Sequence, residues 1–393
     1  MALPLLGITV ISIEQAVAAP FATRQLADAG ARVIKIERPD GGDFARTYDT
    51  TVKGLSSYFV WLNRSKESLT LDLKRPEARD VLDRLLRRAD VFVQNLAPGA
   101  ADRVGSAPAD LRARYPRLVV CSVSGYGSSG PYAAKKAYDL LVQCEVGLMS
   151  ITGTADTPSK VGISIADIAA GMYAYSGILM ALLARAAGGK GTAIEVSLFD
   201  SLAEWMTSPA YQTAYGGSPP PRSGPHHASI APYGPFPSCD GDHVYLAIQN
   251  AREWMRFCAE GLQLPKLADD ERFRTNPLRV KNRAALHDAI AMVFRQLTAA
   301  EIIVRLETAK VAHARMNSVA EFLEHAQLSA RNCWREIDSP AGRLTALLPP
   351  VRMEGVEPVM AAVPSLGQQT EAILEELGFD RDTIADWRKQ GAI

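Results

Sequence analysis

The chain has 393 residues, enough for about two domains. Its 43 Lys plus Arg balance 43 Asp plus Glu, which excludes the clustered positive charge that nucleic-acid and anionic-membrane binders need. A composition 47% hydrophobic and 22% charged excludes disorder and supplies a core that needs neither disulfides nor metals. Ile8 to Ile13 is short and β-branched and predicts a strand. Pro20 opens a helix whose apolar side is Phe21, Leu26 and Ala27, and Gly30 closes it. Val33 to Ile36 is the next strand. Pro76 begins a helix with the stripe Ala78, Val81, Leu82, Leu85 and Leu86; its arginines alternate with Glu77, Asp80, Asp83 and Asp90, as on a solvated face. Val91 to Val93 and Leu118 to Val123 are two more strands. Asp167 to Ala187 predicts a long buried helix, and Ala193 to Leu198 another strand. Strands separated by helix-length segments imply a parallel α/β sheet with helices on its faces.

Gly216 to Pro221 reads as a linker, Ile230 to Asp242 as a Pro- and Gly-rich loop, and Val244 to Ile248 as a strand. Residues 252 to 330 are mainly helical in pattern, and residues 367 to 391 close with a helix. The expected organisation is a large α/β domain over 1–215, a smaller α+β domain over 216–340, and a segment over 341–393 that returns to the large domain.

The five cysteines lie at least 19 residues apart, without C-x-x-C. They read as reduced thiols, mostly in the core, and point to the cytoplasm. The six histidines form no H-E-x-x-H pattern, so no metal site is expected. Leu3 to Ile13 is apolar, but no Lys or Arg precedes Glu14, so a secretory leader is not expected. The uncharged run between Asp167 and Arg185 is 17 residues, short for a membrane span.

Ligands of open α/β sheets sit beyond the strands' carboxyl ends. After the first strand comes Glu14-Gln15-Ala16-Val17-Ala18-Ala19-Pro20, with no glycine between Ile8 and Ala29. A G-x-G-x-x-G phosphate turn is therefore absent, as is G-x-x-x-x-G-K-[ST], which excludes the usual dinucleotide and P-loop readings. Arg38 after the second strand is an exposed turn residue or a phosphate ligand, and Asn95 after the third long-range strand is a turn cap or an adenine contact. Asp167, three residues after Ser164, is a capping residue or a functional carboxylate.

The order of segments is more specific than any one of them. Val33-Ile-Lys-Ile-Glu-Arg-Pro39 leads to Asn63-Arg-Ser-Lys66 and Leu71-Asp-Leu-Lys74. Ala89 to Asn95 with Pro98-Gly99, Ser124-Gly-Tyr-Gly127, Tyr138 to Gln143, Gly147 to Gly153 and Ile165-Ala-Asp-Ile-Ala-Ala-Gly171 follow. This series strongly resembles the class III coenzyme A transferase family (CaiB/BaiF type), which also contains the α-methylacyl-CoA racemases. The resemblance runs over nearly the whole chain and is densest from residue 5 to 200.

The resemblance implies an intertwined homodimer, each chain with a Rossmann-like large domain lacking a dinucleotide fingerprint and a small domain. It implies that Asp167 is catalytic, forming an aspartyl mixed anhydride and then an aspartyl-CoA thioester, with coenzyme A as a thioester substrate and no resident cofactor. Position by position it implies CoA contacts at Val17, Ala18, Arg38, Leu71 to Lys74, Asn95, Leu96, Ala97, Arg103 and Lys136-Ala137-Tyr138-Asp139, with Gln15 beside the first turn to orient the thioester. Oxyanion donors are expected near Gly125 to Gly130 or 224 to 229. Racemases carry a histidine where this chain has Tyr138, and a phenol of pKa near 10 is a poor proton shuttle at neutral pH. The stretch Gly224 to Gly234 lacks the glycine run of formyl-CoA:oxalate enzymes and resembles branches acting on C4–C5 dicarboxylates such as succinate, mesaconate, itaconate or citramalate. There His227 and Ser229 are candidates for binding the distal carboxylate, or His227 is an exposed loop residue. Other outcomes are intramolecular transfer between C1 and C4 of mesaconyl-CoA, racemisation, and CoA-ester binding without turnover.

Overall fold

Buried β-branched residues build the sheet that organises the larger unit. The computed structural model describes residues 2–393, and the strands are β1 (Thr9–Ile13), β2 (Arg32–Glu37), β3 (Lys66–Thr70), β4 (Val91–Gln94), β5 (Val119–Ser124) and β6 (Ala193–Ser197). All pair in parallel, in the order β3-β2-β1-β4-β5-β6. The chain therefore winds outward from β1 to β3 on one side and from β4 to β6 on the other, a doubly wound α/β sheet. The helices that matter for the site are α1 (Ala18–Asp28), α2 (Glu77–Arg88), α3 (Asp139–Glu145) and α4 (Ile165–Gly188).

One core lies between the sheet and α2. Ile11, Ile34, Phe92 and Val120 meet Val81, Leu82 and Leu85, and Ile373, Leu374 and Ile384 join from the chain's end. Each such side chain contributes about 1.5–3 kcal/mol on burial. The exposed face of α2 carries the expected i,i+4 pairs, Arg84–Asp80 and Arg87–Asp83.

α4 packs against α1, β5 and β6, and where the sequence predicted a buried helix only one of its faces is buried. Ala166, Ala169, Ala170, Ala174, Ile178 and Ala181 face the interior, whereas Met172, Tyr173, Met180 and Leu183 are exposed. By length and composition it is the one helix among the described residues apolar enough to cross a membrane, and 39% of that stretch is buried in the chain. Gly171 lets it close on α1: a Cβ there would meet Ala18 O at 2.7 Å and Phe21 Cδ1 at 3.0 Å.

The described residues form two compact units, 2–146 with 162–206 and 327–393, and 147–161 with 207–326. The breaks near 206 and 326 precede the linker and the second boundary read from sequence, because the composition shifts later than the packing does. The smaller unit holds the antiparallel sheet β7 (Tyr233–Pro237), β8 (His243–Ala247) and β9 (Ala312–Arg315), with α5 (Arg283–Phe294) against it. Its core includes Phe236, Leu246, Trp254, Phe257, Ile290, Phe294 and Leu306. The hairpin β10 (Trp334–Ile337) and β11 (Leu344–Leu347) belongs to the larger unit. Cysteine burial departs from expectation: Cys121 and Cys258 are core, Cys144 and Cys239 are exposed, Cys333 is half-buried, and no disulfide joins them among the described residues.

Candidate active site

The winding direction reverses between β1 and β4, so the crevice outside their carboxyl ends is where a doubly wound sheet takes a ligand. Gln15 follows β1 and Asn95 follows β4. The turn after β1 reaches its shape without glycine: Ala16 has φ +62°, the left-handed region, at a cost of about 1 kcal/mol. Hydrogen bonds from outside the turn hold it. Asn95 Oδ1 accepts from Gln15 N–H at 2.9 Å and Asn95 Nδ2 donates to Gln15 O at 2.8 Å. Asp43 Oδ1 accepts from Ala16 N–H at 3.1 Å and from Ala45 N–H at 2.9 Å.

Asp43 belongs to a buried ionic network beneath this turn. Its Oδ2 lies 2.6 Å from Lys35 Nζ, and Glu14 lies 3.7 Å from Lys35 and 2.7 Å from Lys66. Burial pulls the Lys35 pKa down, but Asp43, Glu14 and Glu37 outweigh it and raise it. For Lys66 burial wins despite Glu14, and its pKa falls to about 8. Glu37 is buried too, yet its bonds to Arg46 hold its carboxyl at about 2. Thr23 and Ser68 hydroxyls donate to Glu14 and Glu37, so the buried carboxylates are hydrogen-bonded as well as paired.

Asp167 lies in the first turn of α4. The capping role open to it in sequence is taken by another residue. Ser164 stands at the N-cap without a side-chain bond, and Asp139 Oδ1 from α3 accepts the Ala166 N–H at 2.7 Å. Asp139 Oδ2 accepts from Gln143 Nε2 at 2.7 Å. Asp139, expected at the coenzyme, is thus the helix cap. Asp167 is partly exposed and its carboxylate accepts no hydrogen bond among the described residues. Burial, and then the charge of Asp139, push its pKa up from 3.8 to about 7. The helix N-terminus favours the anion, but here it is outweighed, in part because Asp139 already occupies one of its N–H groups. The approach of α3 depends on Gly125, where a Cβ would meet Ala137 Cβ at 2.3 Å.

Two residues here escaped the sequence reading. Asp43 follows Gly41-Gly42 and caps the 3-10 turn Phe44–Thr47, a position that only the glycine pair hints at. Tyr48 comes next. Burial first, then the charges of Asp43 and Asp167, hold its phenol proton until about 12, and Tyr138 also acts on it. Tyr48 and Tyr58 rings stand 5.5 Å apart, and Tyr58 and Trp61 6.3 Å apart, which makes an aromatic wall.

The remaining expected residues spread along the larger unit. Val17, Ala18 and Leu71 are buried, so only their backbone edges can meet a ligand. Arg38, Lys74, Ala97 and Lys136 are exposed; Leu96 and Ala137 are half-buried, and Tyr138 is exposed. Arg38 Nη2 donates to Gly42 O at 3.3 Å. Arg103 lines a cleft of about 600 Å³ with Arg79, Arg114, Asp83 and Asp102. The N–H groups of Gly127 and Ser128 already donate to Ser124 Oγ and Glu195, which removes them as oxyanion donors.

In the smaller unit, His226 and His227 part ways. His226 packs against His287, ring centroids 4.6 Å apart, and burial lowers both pKa values, that of His287 to about 4. His227 is exposed and stacked on Tyr233 at 5.1 Å. Its Nδ1 accepts from Ser229 N–H at 3.1 Å, which leaves Nε2 to carry the neutral ring's proton. Arg283 Nη2 donates to the carbonyls of His227 and Ala228, and Asn276 Nδ2 to Ser229 O. The N–H groups of Gly224, His226, His227 and Ser229 are all committed. Among the described residues no three His, Cys, Asp or Glu side chains are grouped to hold a metal ion.

The family model described as CoA-transferase family III matches residues 5–370. A succinyl-CoA:glutarate CoA-transferase of Mus musculus is 33% identical over 395 residues, covering 99% of this chain and 90% of its own. An acetyl-CoA:oxalate CoA-transferase of Acetobacter aceti is 36% identical over 339 residues, covering 84% and 85%. The crystal structure of a CAIB/BAIF family protein from Brucella suis is 34% identical, with a TM-score of 0.83 over 96% of this chain and all of that one.

Proposed function

Because the chain belongs to CoA-transferase family III, we propose that it moves coenzyme A from an acyl-CoA thioester to a free carboxylate of a small dicarboxylic acid, with Asp167 as the temporary acyl carrier. The observation that carries this reading is Asp167 itself: a carboxylate on the first turn of α4 that accepts no hydrogen bond among the described residues and whose pKa burial and Asp139 raise. Such a group keeps an ionised fraction near neutral pH and its oxygens are not tied to donors, which favours attack on carbon.

The Asp167 carboxylate attacks the thioester carbonyl, the C–S bond breaks, and CoA thiolate leaves a mixed anhydride. The thiolate attacks the aspartyl carbonyl and expels the donor carboxylate, leaving an Asp167–CoA thioester. The acceptor carboxylate attacks that carbonyl and releases the thiolate again, which attacks the acceptor's carbonyl and frees Asp167. Every bond broken is replaced, so no ATP and no proton is consumed. Coenzyme A is substrate, not a resident cofactor.

For the acceptor, the reading favours C4–C5 diacids over oxalate. His227 is exposed and its Nδ1 accepts from Ser229 N–H, so it offers an Nε2–H on a loop pinned by Arg283 and Asn276, suited to a second carboxylate, with Ser229 beside it. The Mus musculus relative's name couples succinyl-CoA with glutarate, whereas the Acetobacter aceti relative's name specifies oxalate. The working form is an intertwined homodimer, with a second copy covering the exposed face of α4. Five cysteines without a disulfide among the described residues suit a cytoplasmic setting.

The test is CoA exchange from succinyl-CoA into labelled glutarate, succinate, mesaconate, itaconate, citramalate and oxalate, with hydroxylamine added to trap the acyl-enzyme. Exchange into the longer acids and an Asp167 hydroxamate are expected. Mesaconyl-C1-CoA incubated alone reports intramolecular transfer. Deuterium entering the α-carbon of a 2-methylacyl-CoA would indicate racemisation, which Tyr138 disfavours. Neither exchange nor trapping with any acid would refute the proposal and leave a CoA-ester-binding protein.

A further inference from the structure

The β1–β4 ladder ends at Ile13 and Gln94. One residue further, Asn95 continues it with its side chain. Its amide accepts from Gln15 N–H and donates to Gln15 O, the two bonds that the continuing backbone of a parallel neighbour strand would have supplied. Asp43, anchored by Lys35 and buried with it, takes the next N–H, that of Ala16. The left-handed φ of Ala16 persists because these partners over-determine it. Its place after β4 leaves Asn95 open as a turn cap or an adenine contact, and the resemblance implies a coenzyme contact.

We infer that Asn95 is a positioning residue for the transfer reaction: its amide extends the ladder past the sheet's edge and sets the direction of Gln15 and of the Ala16–Val17 backbone at the crevice. The inference rests on the proposed CoA transfer. It assigns Asn95 to the geometry of the reacting end and not to recognition of the nucleotide.

Two donors separate those roles, succinyl-CoA and succinyl-pantetheine, which lacks the nucleotide. With Asn95→Ala, kcat should fall on the order of 100-fold with both donors, the cost of misplacing a reacting group by about 1 Å, while KM for the donor is unchanged. Gln15→Ala should be slower as well, and the double variant no slower than the slower single one, since Asn95 acts through Gln15. Asn95→Ser, too short to span both groups, serves if the alanine variant does not fold. A raised KM with succinyl-CoA that disappears with succinyl-pantetheine would overturn the inference in favour of a nucleotide contact. Multiplying effects in the double variant would overturn it in favour of general support of the fold. An inactive wild type would sink the proposed function, whereas a fully active Asn95→Ala beside an active wild type sinks only this inference.

Discussion

The Asp167 carboxylate costs the fold stability, and removing its charge should give that stability back in a pH-dependent way. Its pKa rises from 3.8 to about 7 on folding. Below about pH 4 both states are protonated and the site is neutral in the balance. As pH climbs, the unfolded chain releases the proton while the native one keeps it, so destabilisation grows and becomes complete above about pH 7. The full term is about 4 kcal/mol, from about three units at 1.36 kcal/mol each. Between about pH 5.5 and 8.5 it increases by about 2 kcal/mol, an upper value because Asp167 is partly exposed and solvent screens it. Asp167→Asn has no such dependence. In urea unfolding, its stability advantage over the wild type should widen by up to that amount across the range, whatever constant offset the amide brings. Parallel stability–pH curves for the two proteins would refute the reasoning, and with it the claim that burial and Asp139 hold Asp167 partly neutral.

Three further outcomes follow from the same geometry. Asp139→Asn keeps an oxygen for Ala166 N–H but loses the charge beside Asp167; the rising limb of the kcat–pH profile should move to lower pH, and by less than the whole shift because burial is the larger cause. An unmoved limb in that profile argues against the coupling. Gly171→Ala places a methyl 2.7 Å from Ala18 O; the overpacking should lower stability by about 1–3 kcal/mol in urea titration despite alanine's better helix propensity, and kcat should fall as α4 shifts. His227→Ala should raise KM for the acceptor diacid while the hydroxylamine trapping rate, which needs only the donor, stays as it was; equal loss in both assays excludes an acceptor role.

Apolar periodicity disclosed the large sheet except for one edge, β3, and missed the edge strand β7 of the smaller one. β1, β2, β4 and β5 fall within a residue or two of the β-branched runs, because these strands are almost wholly buried, and β6 does so through Ile194 and Val196 although Ala193 and Glu195 are exposed. β3 reads Lys-Glu-Ser-Leu-Thr and shows no strand pattern. Lys66 and Ser68 are nonetheless buried there, since Glu14 and Glu37 receive their protons. Those partners stand 52 and 31 residues away, beyond any local window. β7 hid behind its prolines, Pro235 and Pro237, yet it pairs only with β8, and an edge strand tolerates proline. The helices were clearer, but the exposed side of α4 could not be told from its buried side when both are apolar.

The candidate site divides the same way. The order of motifs singled out Asp167, while its neighbouring residues left capping and chemistry equally open; the structure separates them because the cap arrives from Asp139, 27 residues earlier. That arrangement also has a chemical logic under the proposed reaction. In one turnover Asp167 would be nucleophile once, acylated electrophile twice and leaving group once. Hydrogen bonds to its oxygens would ease departure but blunt the attack. Capping α4 through Asp139 satisfies a helix N–H without tying up Asp167, and the adjacent charge raises the basicity of the attacking oxygen at the expense of its ionised fraction. At a pKa of about 7 that expense is a factor of about two near neutral pH, small against the gain in nucleophilicity that basicity brings.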